Sequence, residues 1–274
     1  KSAAETIREY DPDALVIGGG LTTDYGGTTN RFLKDLGESG VLKFCDALSF
    51  HPYASPLDSS PIAADTAIRD LRKQLDLYAP GLPLWNTELY YIAPSPVAYY
   101  AVQASATHAP HLLRRYLIDL GEGVSRSILI QSSQLLQNEL APHWELGENY
   151  VYSGCIPHDR YTGQSVVSHL LNGAAPMERF QWPSGATGYL YRMRNGQQLA
   201  AVWKAPDAQN FILELPDGEF EVLDMYLNAI PSRKTIPLSE FPVFLRGKNL
   251  RNDLKKAQLR GVLSFRILAA FPFL

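Results

Sequence analysis

Four short apolar stretches, each followed by a segment of helical character, constrain this chain more than any other feature. They are Ala14 to Gly20 (ALVIGGG), Cys45 to Phe50 (CDALSF), Pro83 to Tyr91 (PLWNTELYY) and Arg126 to Ile130 (RSILI). Each is too short for a buried helix and is bounded by breakers, so each reads as a strand. Helix candidates lie between and after them, at residues 30–42, 63–78, 97–120 and 164–172, with Pro110 a kink point in the third. Residues 63–78 are the clearest, with Ile68, Leu71, Leu75 and Tyr78 on one side and Arg69, Asp70, Arg72, Lys73 and Asp76 on the other. Strand-helix alternation of this kind builds a parallel sheet with right-handed crossovers. Residues 2–10, SAAETIREY, read as the end of a preceding helix.

The third strand organises the rest. It starts apolar at Leu84-Trp85 and runs directly into Thr87-Glu88, which puts a carboxylate at the C-terminal end of a parallel strand. That rim is where α/β folds place their chemistry. A lone Glu is more often a solvated loop acid, so context has to carry the functional reading. The preceding strand supplies it by ending in His51-Pro52-Tyr53. An acid that attacks, held by a tyrosine hydroxyl, suits covalent catalysis.

Other motifs are weaker. Gly18-Gly19-Gly20 is not a dinucleotide fingerprint, because position 23 is Thr23 and no helix opens at once; these glycines are expected to let backbone approach a cleft. His108 and His111 are three apart on a helix without an evident third ligand, which favours packing over metal binding. Cys45 and Cys155 are expected to be core thiols, since two cysteines make neither a disulfide framework nor a zinc site. No metal or cofactor is implied. With 274 residues, 46% hydrophobic, 19% charged and a net charge of −3, the composition is globular. It gives no reason to expect a nucleic-acid or anionic-membrane partner. The chain opens on Lys1 inside an apparent helix, which raises the expectation of a processed or truncated piece.

Near Phe180 the pattern changes to short alternating strands, with Asn195-Gly196 a type I′ hairpin signal. Residues 187–194, 197–205, 210–215, 219–227, 234–238 and 241–246 are expected to form a small antiparallel sandwich. The predicted division is therefore 1–178, 179–247 and 248–274. The last 27 residues hold +5 of formal charge against −8 for the rest and end in ILAAFPFL. A packed terminal strand is the default reading, beside a membrane-surface helix or foreign sequence.

LSFHPY followed by PLWNTE resembles strands six and seven of the clan A (β/α)8 glycoside hydrolases, nearest to family 39 and its cellulase-like relatives. IREYDPDALVIGGG resembles their fourth helix and fifth strand, SRSILIQSS takes the place of strand eight, and the strands ending in FPVFLRG resemble the sandwich packed on such barrels. The resemblance covers residues 1–247 and implies the C-terminal half of a TIM (β/α)8 barrel, four parallel βα units, followed by a β-sandwich. It implies Glu88 as the nucleophile of a retaining O-glycosidase, Tyr53 as the group that orients it, and His51, Asn86, Tyr90, Gln131 and Trp144 as sugar contacts. Its substrate would be an oligo- or polysaccharide or a glycoside, and its setting secreted, cell-surface or periplasmic. Two departures stand out. The family's acid/base, the Glu of an Asn-Glu pair ending strand four, would lie before Lys1, so a missing N-terminal barrel half is expected. Gln131 stands where relatives often place an aromatic platform, a role Trp144 could fill; Asp24 and Glu145 are the nearest substitutes for the acid by loop position. A non-catalytic carbohydrate-binding or structural barrel is the alternative. A complete flavodoxin-like domain is the weakest, because the switch-point loop lacks a phosphate cradle.

Overall fold

A computed structural model of the chain describes residues 2–22, 28–52, 62–89, 108–129, 152–153, 156–157, 159–183, 185–205, 209–231 and 234–261. In chain order, α1 (Ser2–Tyr10), β1 (Ile17–Thr22), α2 (Thr28–Glu38), β2 (Ala47–His51), α3 (Ile62–Leu75), β3 (Leu84–Leu89), α4 (His108–Gly121) and β4 (Val124–Leu129) form the α/β part, closed by α5 (Asp159–Leu170). The four strands are parallel and lie in the order β1-β2-β3-β4, as the alternation predicted. One face of the sheet is covered by helices. Leu48, Phe50, Leu84 and Val124 pack there against Leu33, Ile68, Leu75, Leu113 and Leu117. The opposite face carries Ser49 and His51 from β2 and Thr87 from β3, which meet through their side chains.

Gly19 explains part of the glycine run. It has φ +99°, and a Cβ there would lie 2.6 Å from the Ser49 carbonyl oxygen and 3.0 Å from Leu48 Cδ1, beside a register shift between Gly19 and Leu21 against β2. The glycine serves close approach of neighbouring strands in a conformation that L side chains rarely adopt. Gly19→Ala is expected to cost about 1–3 kcal/mol, measured as a lower urea midpoint at unchanged slope. An unchanged midpoint would mean that β1 does not run this close to β2.

The antiparallel region begins with β7 (Ala175–Gln181), earlier than the sequence pattern showed, because Pro176 and the charged Glu178 and Arg179 disguise the alternation. With β8 (Ala186–Arg192), β9 (Gln198–Lys204), β11 (Phe220–Leu223) and β13 (Val243–Gly247) it makes a five-stranded sheet in the order β11-β13-β9-β8-β7. A second sheet, β12-β10-β14, comprises Thr235–Leu238, Phe211–Glu214 and Gln258–Gly261. A two-stranded pair joins β5 (Tyr152–Ser153) and β6 (Ile156–Pro157). Part of the basic C-terminal stretch is thus structured, with helix α6 (Leu250–Lys256) burying Leu250 and Leu254 and β14 pairing with β10. ILAAFPFL lies outside the described residues.

The five-stranded sheet is buried on both sides. Ala186, Leu190, Ala200 and Val202 face the sandwich core with Leu213, Ile236 and Leu245. Tyr189, Tyr191, Leu199, Ala201 and Trp203 join the core that holds the helices. Polar groups cross the same boundary. The Tyr191 hydroxyl donates to the Leu117 carbonyl (2.6 Å), that of Tyr189 to Glu122 (2.7 Å), and Arg179 reaches Asp65, which is 2% exposed and is also held by Arg69. Burial and the Glu122 carboxylate push the Tyr189 phenol far above its ordinary range. At the other end, Arg8 of α1 donates to Asp46 at 3.0 Å. The Val16 backbone N–H and then Arg8 hold the Asp46 carboxyl below its usual range.

Asn195-Gly196 does sit at the hairpin between β8 and β9, but the turn is not type I′. Gly196 alone has positive φ (+80°), the Gly196 N–H donates to the Met193 carbonyl (3.0 Å), and the Asn195 side chain accepts from the Gln197 N–H (3.0 Å). This is a type I turn followed by a left-handed glycine, the next most common hairpin connection.

Candidate active site

Glu88 reaches the open face of the sheet by way of a strand irregularity. Period-2 alternation sends Leu84 and Asn86, both fully buried, toward the helices and Trp85 and Thr87 to the other side. Continued without interruption, it would send Glu88 back toward the helices. Asn86 pairs with Ser127 and Leu89 with Leu129, so three steps on β3 span two on β4. The extra residue is a bulge, a device that re-aims a side chain near functional sites. It leaves Thr87 and Glu88 on one side and returns Leu89, 2% exposed, to the parity of Asn86.

Asn86 holds this irregularity from behind. Its Nδ2 donates to Asp119 Oδ2 at 2.7 Å, and its Oδ1 accepts from the Glu88 N–H at 3.3 Å. Asp119, on α4 and fully buried, also accepts from Arg115 Nε (3.1 Å) and Ser127 Oγ (2.8 Å). Asn86, expected as a sugar contact, is 0% exposed, with its amide committed to Asp119 and to the Glu88 N–H. Near the same carboxylate, burial and then the Asp119 charge push the Tyr116 phenol up to about 12.

On the open face, His51 Nδ1 lies 3.1 Å from Glu88 Oε2, while its Nε2 lies 3.0 Å from Thr87 Oγ1. The His51 side chain is 17% exposed and that of Glu88 37%, so the acid keeps a free approach while one oxygen is held. His51 is thus a direct partner of the candidate nucleophile, a nearer role than the sugar contact expected of it. Further along the face, the Arg126 guanidinium stacks over Trp85 at 4.8 Å, and Ile17 and Ile128 are 38% and 47% exposed. Glu88 is the only carboxylate on the four parallel strands. A cavity of about 630 Å³ between β4, α4 and α5 is lined by Tyr116, Val124, Gln164 and Leu171 among others, and neither Glu88 nor His51 lines it. Among the described residues no cluster of three His, Cys, Asp or Glu could hold a metal, and no helix is long and apolar enough to cross a membrane. Tyr53, Tyr90, Gln131 and Trp144, with Asp24, Glu145 and Cys155, lie outside the described residues.

Sequence reading brought Glu88 and His51 together and missed Thr87, Ser49 and Asp119. Ser49 was legible in principle, two residues before His51 on the same strand and hence on the same face. Asp119 was not, because nothing in the helix pattern tells which buried acid meets which strand.

No family model matches the chain, and no curated protein does. Solved structures do. A GH51 arabinofuranosidase from Xanthomonas axonopodis pv. citri aligns at TM-score 0.55 and 16% identity over 90% of this chain and 62% of its own. A glucosidase from Croceicoccus marinus aligns at 0.56 and 13%, over 89% and 62%. The catalytic domain of GH30 xylanase C from Talaromyces cellulolyticus aligns at 0.54 and 9%, over 89% and 54%. The fold is therefore that of half a (β/α)8 barrel followed by a β-sandwich, as in part of each of these structures. At these identities the likeness is one of fold and does not reach the narrower family 39 or cellulase-like reading. The chain spans less than two thirds of the length of these structures.

Proposed function

We propose that the chain carries the nucleophile half of a retaining O-glycosidase site, with Glu88 attacking the anomeric carbon and His51 holding the carboxylate in line. One observation carries the reading: the bulge on β3 turns the only carboxylate of the four strands onto the open face, at the C-terminal end, against an imidazole. A retaining mechanism also needs an acid/base about 5–5.5 Å from the nucleophile, which this reading assigns to residues outside the described strands. Tyr53 remains the proposed hydrogen-bond partner that orients Glu88, Tyr90, Gln131 and Trp144 the proposed sugar contacts, and a secreted, cell-surface or periplasmic setting the proposed location.

The test is covalent capture. Activated 2-deoxy-2-fluoro glycosides of gluco, xylo and arabino configuration should add one glycosyl mass to the peptide containing Glu88, because an activated leaving group needs little acid help and the 2-fluoro substituent slows release. Glu88→Gln should abolish the adduct. Labelling of another residue, or of Glu88→Gln itself, would sink the assignment. The second reading, a non-catalytic carbohydrate-binding protein, is favoured by the lack of a second carboxylate on the strands; it expects saturable sugar binding and no adduct.

A further inference from the structure

We propose that Ser49 and Thr87 are positioning residues that lock His51 in the tautomer that Glu88 requires and so hold the ring against the carboxylate. They form a directed chain of hydrogen bonds, Ser49 to Thr87 to His51 to Glu88. The contacts are 2.6 Å between Ser49 Oγ and Thr87 Oγ1, 3.0 Å between Thr87 Oγ1 and His51 Nε2, and 3.1 Å between His51 Nδ1 and Glu88 Oε2.

The direction follows from donor and acceptor inventory. An ionised carboxylate can only accept, so the Nδ1 that faces Glu88 carries the hydrogen. A neutral imidazole then has a bare Nε2, which must accept from its neighbour, and that neighbour is the Thr87 hydroxyl. Having donated its only proton, Thr87 Oγ1 is left as an acceptor, and the Ser49 hydroxyl is the donor that reaches it. Ser49 is 7% exposed, so its proton has little water to turn to. With a neutral ring, the opposite polarity would set the Nδ1 lone pair against the Glu88 carboxylate. Which nitrogen carries hydrogen is fixed by the bond the other one makes, and here that bond belongs to Thr87.

This placement depends on the fold. Ser49 and His51 share a face because they are two apart on β2, and the bulge presents Thr87 and Glu88 to that face together. One side chain after the bulge meets each end of the same imidazole ring.

The functional consequence rests on Glu88 being the nucleophile, but the tautomer does not, so the two are measured separately on the full 274-residue chain. Long-range 15N–1H correlation spectra at neutral pH should show His51 with a pyrrole-type Nδ1 and a pyridine-type Nε2. A protonated Nε2 in the unaltered protein would overturn the proposal without any variant. Thr87→Val removes the donor and should lose the single-tautomer pattern, and Thr87→Ser should restore it. Ser49→Ala, one bond further away, should perturb it less. With the activated fluoro glycoside, Thr87→Val should slow labelling of Glu88 on the order of tenfold, the equivalent of one hydrogen bond to a charged group, with Thr87→Ser recovering most of the rate. A Thr87→Val protein that keeps both tautomer and labelling rate would show that the hydroxyls merely pack. If no adduct forms even in the unaltered chain, the glycosidase reading fails and the tautomer measurement still decides this one.

Discussion

Glycosides with strongly activated aryl leaving groups are expected to react at Glu88 in the chain as it stands, while unactivated alkyl glycosides react ~10²–10⁴-fold more slowly relative to a complete enzyme. The margin is the usual contribution of a positioned general acid. Glycosidic cleavage expels an alkoxide unless a proton arrives with the departing oxygen, and the four described strands offer no carboxylate besides Glu88 to deliver it. Dinitrophenolate leaves without that help, so its release reports the nucleophile alone. First-turnover (burst) release from a dinitrophenyl glycoside, set beside a methyl glycoside of the same sugar, measures the difference, since later turnovers also need a base to hydrolyse the glycosyl-enzyme, and Glu88→Gln should remove the activated reaction as well. Equal turnover of both would place a working acid within this chain, Asp24 or Glu145 being the candidates by loop position.

Asp119→Ala should destabilise the folded chain by about 3–5 kcal/mol, out of the roughly 5–15 kcal/mol that keeps a typical domain folded. The carboxylate is fully buried and accepts from Asn86, Arg115 and Ser127, which sit on β3, α4 and β4. Its removal leaves a guanidinium that is 9% exposed without its counter-charge, and a buried amide without its acceptor. Unsatisfied buried groups cost their full desolvation, which is why the loss exceeds the net worth of the bonds. Urea unfolding measures the effect, and Asp119→Asn, which keeps an acceptor oxygen but drops the charge, should fall between. A change below about 1 kcal/mol would show the pair to be solvated like a surface bridge. Asn86 also receives the Glu88 N–H, so the same variant should slow Glu88 labelling at denaturant-free conditions where the protein remains folded.

The parallel strands were legible because each is a short, largely apolar stretch bounded by breakers, too short for a helix and alternating with helical segments. Their edges moved by one to three residues where polarity misled: β1 starts at Ile17 rather than Ala14, and β4 at Val124 rather than Arg126. The antiparallel strands were legible through turn residues at regular spacing. Strand β7 escaped because a register shift against β8 lies between Pro176 and Glu178, and because Glu178 and Arg179 place charges on opposite sides of it, against Arg251 and Asp65.

Of the site, a strand carrying Thr87-Glu88 near its end beside one ending in His51 could be read directly, since both facts are local: a strand's last residues sit at its rim whatever surrounds them. Side-chain direction could not. Alternation from Leu84 assigns Glu88 to the helix side, and only the pairing of β3 with β4, which puts one extra residue between Asn86 and Leu89, turns it over. The same long-range pairing gave Asn86 to Asp119 rather than to a ligand and brought Thr87 onto His51. Composition and periodicity along the chain determine which segments become strands and where each ends. Which face a residue takes, and which partner meets it, depends on register between strands some 40 residues apart, a quantity settled by packing and absent from any local pattern.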